Sequence, residues 1–79
     1  MHTRKIHLYG IKGIIDFINA ANRVSCNLDI QSGKYEIDAK SVMGLLSLRC
    51  RMPMILIIQT DDKEELERVD ELLSPFYVK

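Results

Sequence analysis

Met54-Ile55-Leu56-Ile57-Ile58 constrains the fold more than any other part of this chain. Pro53 precedes the run and Gln59 follows it, so it is too short for a buried helix and reads as a strand. Both of its faces are apolar, which places it at the centre of a sheet rather than at an edge. The remaining sequence must therefore supply flanking strands and a helical layer.

The flanking elements are visible as changes of period. Arg4 to Tyr9 alternates, with Ile6 and Leu8 on one face and Lys5, His7 and Tyr9 on the other, which predicts a half-buried strand ended by Gly10. Ile11, Ile14, Ile15, Ile18 and Ala21 then recur at helical spacing, opposite Lys12, Asp16, Asn19 and Arg23. Phe17 flanks this stripe, and Asn22 is expected to end the helix in a left-handed cap. Val24, Cys26, Leu28 and Ile30 face inward from a second strand. Gln31-Ser32-Gly33-Lys34 is a turn, with Gly33 free to take positive φ, and Tyr35 and Ile37 continue an antiparallel partner. Asp38 or Ser41 caps a short helix running to about Leu48. Asp61, with Glu64 three residues on, caps a last helix whose stripe is Leu66, Val69, Leu72 and Leu73, and Pro75 follows its end. The element order is β-α-β-β-α-β-α, an α+β arrangement with helices on one face of an antiparallel sheet.

Composition narrows the functional classes. The 79 residues, read as a single domain over 1–79, carry 11 basic and 11 acidic side chains, so no net field favours nucleic acid or an anionic membrane. A chain this short buries only about 60% of its unfolded surface, which leaves little room for a substrate pocket. Cys26 and Cys50 form no disulfide framework and are expected to be reduced. His2 and His7 lack partners at metal-ligand spacing, and neither a cofactor nor a metal is expected. With no signal core and no spanning segment, a cytoplasmic protein is expected. No nucleophile–base arrangement, carboxylate pair or phosphate-cradling loop appears, so the chain is not expected to be an enzyme.

The segment Ser32-Gly33-Lys34-Tyr35-Glu36-Ile37-Asp38-Ala39-Lys40-Ser41-Val42-Met43-Gly44-Leu45-Leu46-Ser47-Leu48 is the most specific motif. It resembles the regulatory-serine region of HPr, the small phosphocarrier of the bacterial sugar phosphotransferase system. The resemblance is strong from about Leu28 to Leu48 and one of pattern elsewhere. It implies an HPr-like two-layer open-faced sandwich, with a four-stranded antiparallel sheet of order 1-4-2-3.

The resemblance also implies where function would sit. In the family a Gly-[Ile/Leu]-His-Ala-Arg-Pro sequence opens the first helix, and its histidine carries phosphate. The matching stretch here is Gly10-Ile11-Lys12-Gly13-Ile14-Ile15, so Lys12 stands at the position of the missing phosphohistidine and the Arg-Pro pair is absent. A lysine amine, with a pKa near 10, is protonated at neutral pH and cannot act as a reversible carrier. The serine matching Ser41 is phosphorylated by a dedicated kinase in Gram-positive relatives. The residues around it bind that kinase and a transcriptional regulator, which implies Lys40, Val42, Met43 and Leu46 as partner-binding residues. By spacing alone Ser41 reads first as an ordinary helix cap, and it is the flanking Lys40 and Val42–Leu48 that raise the regulatory reading beside it. Likewise, Met43 and Leu46 are either core residues or part of an exposed patch, since so short a helix cannot bury every apolar side chain. Such a patch suits either a protein partner of a regulatory module or a constitutive homodimer and structural module. Two departures bear on partner identity: one extra residue between Gly33 and Ser41, and Arg49-Cys50-Arg51-Met52-Pro53 in place of a small Gly-containing connection.

Overall fold

The computed structural model of the protein describes residues 1–41 and 54–78. Four strands, β1 (His2–Ile6), β2 (Asn27–Ser32), β3 (Tyr35–Asp38) and β4 (Met54–Gln59), form one antiparallel sheet of order β1-β4-β2-β3. The apolar run is β4, and it lies between β1 and β2 as its composition requires. Met54, Leu56 and Ile58 face a shared core with Ile6, Leu28 and Ile30. Ile57 turns to the other face, where its register partners are Thr3 and Asp29. It is buried there, but apart from the helix-covered core.

Among the described residues two helices, α1 (Gly10–Ala21) and α2 (Lys63–Leu73), pack on the inner face and touch each other. The buried side of α1 is Ile14, Phe17, Ile18 and Ala21. This corrects the expected stripe: Phe17 is fully buried, while Ile11 and Ile15 remain 66% and 45% exposed. Residues 14, 17, 18 and 21 make the regular three- and four-residue set. Ile15 stands about 100° away from Ile14 around the axis, and the aromatic ring takes the core volume. Asn22 is also corrected. It ends α1 with a right-handed backbone, φ −69 and ψ −13, and its side-chain amide donates to the Ile18 carbonyl at 2.9 Å.

Other boundaries move by a few residues. Leu8, Val24 and Cys26 are buried as expected but lie outside the strands. Gly33 has φ +58 in a two-residue loop joining Ser32 to Tyr35, the conformation a tight hairpin demands. The cap of α2 is Asp62 rather than Asp61: its carboxylate accepts from the Glu64 amide at 2.9 Å. Asp61 receives the Met1 amine at 2.6 Å instead. Glu64 and Glu65 in the first turn suit the positive end of the helix dipole. The helix expected to run to about Leu48 lies outside the described residues, as do Val42, Met43, Leu46 and Cys50. Among the described residues no helix is long and apolar enough to cross a membrane.

A polar network ties the edge strand to α2. Arg4 lies on the inward register of β1, two residues before Ile6, and its Nε and Nη2 donate to the two carboxylate oxygens of Asp70 at 3.2 Å each. The Tyr77 hydroxyl donates to Asp70 Oδ1 at 2.6 Å. Burial pushes the Asp70 carboxyl up, but the Tyr77 and Arg4 bonds outweigh it and hold the group below its ordinary range. A carboxylate depressed in the folded state adds stability above its unfolded pKa, and that stability is lost as pH falls through the folded value. Thermal melts should therefore drop below about pH 4, and Asp70→Asn should flatten that drop. An unchanged acid slope in the variant would remove Asp70 as a contributor.

Candidate functional site: the start of helix α1 and the turn before Ser41

Gly10 enters α1 with φ +68, a backbone that L side chains rarely adopt, so the chain turns sharply from β1 into the helix. Tyr9 precedes it without a side-chain cap, and the Gly13 amide donates to the Tyr9 carbonyl at 3.2 Å. The His7 and Tyr9 rings lie 4.2 Å apart, which places the histidine beside the strand-to-helix turn. Lys12 projects from the first turn with its side chain 91% exposed, and its Nζ lies 3.6 Å from Asp16 Oδ2. No acidic residue occupies that turn. A cation here works against the helix dipole, and a lysine four residues before an aspartate is the weaker orientation of such a pair. The α1 start is therefore electropositive, and its first turn presents the Lys12 amine to solvent.

Ser41 follows a tightly held turn. The Ala39 amide donates to the Leu28 carbonyl at 2.9 Å, and Ala39 is fully buried. Asp38 Oδ1 accepts from the Lys40 amide at 2.8 Å, while the Asp38 carbonyl accepts from the Ser41 amide at 3.0 Å. These bonds are those of an aspartate-stabilised turn. Lys40 Nζ donates to the Val24 carbonyl at 2.7 Å, so this side chain ties the β3 exit to the connection between α1 and β2. Ser41 itself is half-buried. Lys12 and Ser41 thus belong to separate elements, each fixed by its own local bonds. The Cys26 thiol sits nearby, where burial and then the Glu65 carboxylate push it up, away from thiolate reactivity.

A four-stranded 1-4-2-3 sheet with these helices is the frame the motif implies, and the sequence comparison decides the family. The family model described as "PTS HPr component phosphorylation site" matches residues 14–76. The chain belongs to the HPr family. The matched span begins at Ile14, two residues beyond Lys12. The fold is similar to that of the crystal structure of HPr-C-His from Thermoanaerobacter tengcongensis, with a TM-score of 0.71 and 21% identity over 94% of this chain and 92% of that one. No curated protein matches the chain in sequence.

Sequence reasoning passed over the Arg4–Asp70–Tyr77 network. One signal was available: Arg4 shares the inward face of β1 with Ile6, and a charge on a buried face needs a partner. The partner, 66 residues away, has no local signature.

Proposed function

We propose that this HPr-family protein works through protein contacts as a regulatory module, without carrying phosphate on histidine, and that phosphorylation of Ser41 switches those contacts. The reading rests on the exposed Lys12 in the first turn of α1, together with the motif resemblance that aligns it with the family's acceptor histidine. The held turn before Ser41 supports the second part, because it fixes the backbone that leads into the serine. Phosphate would add about −1.5 to −2 charge there, enough to recruit arginines of a partner without refolding the domain. The partners proposed are an HPr-type serine kinase and a transcriptional regulator, meeting Lys40, Val42, Met43 and Leu46 in the cytoplasm. Lys40 would meet them through its stem, since its amine is held by Val24. No catalytic activity is proposed.

Incubation with the first enzyme of the sugar phosphotransferase system and phosphoenolpyruvate tests the first part. Mass spectrometry is expected to find no phosphohistidine, and phosphate on His2 or His7 would reject the reading. Lys12→His is expected to stay inactive as well. Gly13 and Ile14 leave no arginine to orient the phosphoryl group.

A further inference from the structure

The turn from Asp38 to Ser41 contains one anion and one cation, and the cation is engaged elsewhere. Asp38 holds the turn itself, accepting from the Lys40 amide at 2.8 Å through Oδ1 and from the Ser41 amide at 3.0 Å through its carbonyl. The Lys40 amine instead donates to the Val24 carbonyl at 2.7 Å, 16 residues back along the chain. Val24 lies in the irregular connection between α1 and β2. On its own side that connection is held by the end of α1: the Arg23 amide donates to Ala20 and the Val24 amide to Ala21, at 3.1 Å each. The lysine adds a tie from the exit of β3. Cys26, two residues beyond Val24, is buried in the core.

We propose that Lys40 reads the state of Ser41: phosphate on the serine draws the lysine amine off the Val24 carbonyl and so loosens the connection between α1 and β2. This rests on the serine switch proposed above and adds its consequence inside the domain. Two acceptors compete for one ammonium. A carbonyl offers a partial charge, whereas a phosphate carries about −1.5 to −2 and three acceptor oxygens. Bonds between ionised partners are also roughly twice as strong as neutral ones. Reach is no obstacle, because neighbouring Cα atoms are about 3.8 Å apart and the ammonium sits on a flexible four-carbon stem. Asp38 sharpens the competition. The phosphate would enter beside its carboxylate, and Lys40 is the cation that the turn supplies. A part-buried carbonyl left without its donor is costly, so the Val24 segment is expected to open toward water.

The test uses the full chain carrying Cys50→Ser, which leaves Cys26 as the reporter thiol, with phosphoserine installed at position 41 during synthesis rather than by a kinase. A missing kinase would therefore defeat the serine switch without touching this test. Labelling of Cys26 by a thiol reagent at neutral pH is expected to be about two- to tenfold faster with the phosphate than without it, the population change that one net hydrogen bond controls. Lys40→Met should reach the fast rate without phosphate and gain nothing from it. In nitrogen NMR spectra the Lys40 Nζ resonance should move on phosphorylation. Equal acceleration by phosphate in the K40M chain would overturn the proposal, since another group would then carry the signal. So would an amine that moves while Cys26 labelling stays unchanged. Should Lys40→Met fail to fold, the resonance of the unaltered lysine decides, and an amine that phosphate does not move rejects the relay.

Discussion

Phe17→Ala is expected to remove a large share of the stability of this protein. The ring is fully buried on the inner side of α1 and meets Phe76 edge-on. Truncating a buried Phe typically costs about 3–5 kcal/mol, the lost transfer energy plus the cavity left behind. A chain of 79 residues has only roughly 4–12 kcal/mol in total at the usual per-residue values. At about 4–8 °C per kcal/mol the melting temperature should fall by at least ~12 °C. Ile11→Ala is the matched comparison. That side chain is two-thirds exposed, and its loss should stay within about 0.5 kcal/mol. Thermal melts of the two variants decide which side of α1 forms the core. Equal losses would contradict the helix orientation described here.

Ser41→Ala is expected to abolish labelling by an HPr-type serine kinase while the protein stays folded. The turn before Ser41 is held by the Asp38 carboxylate and by the Ala39 and Ser41 amides, none of which the substitution removes. Where the hydroxyl also caps a helix, its loss costs about 0.5–2 kcal/mol, small beside the expected loss of phosphate. The measurement is phosphate incorporation with purified kinase and nucleotide, paired with a melt of the same sample. Labelling that persists in the alanine variant would move the site elsewhere. A fully folded, unlabelled wild type would remove the serine switch from the proposed function and leave the histidine argument standing.

These two variants probe different kinds of knowledge. Ser41 and Lys12 were found by motif, because a turn glycine, a serine and the residues around it sit close together in the chain. The position of Phe17 could not be read in that way. Helical spacing marks an apolar stripe, but five isoleucine and alanine positions with an adjacent phenylalanine describe a band wider than one buried face. Only the sheet beneath α1 selects residues 14, 17, 18 and 21 from that band. The cap of α2 shows the same limit on a smaller scale. Asp61 and Asp62 are equivalent as local signals, and the helix start chooses Asp62.

The sequence by itself determined the order of the elements among the described residues, the central place of Met54–Ile58, the Gly33 hairpin and the family resemblance. Each of these is written in neighbouring residues, as a period, a turn preference or a side-chain chemistry. The tertiary structure alone decided how α1 is rotated on the sheet and what becomes of the β1 edge. Arg4 meets Asp70 across 66 residues, and Tyr77, seven residues beyond Asp70, donates to the same carboxylate. No local pattern encodes such a meeting. It follows from the antiparallel pairing of β1 with β4 and the packing of α2 over them, which bring the Arg4 guanidinium and the Tyr77 hydroxyl to one carboxylate.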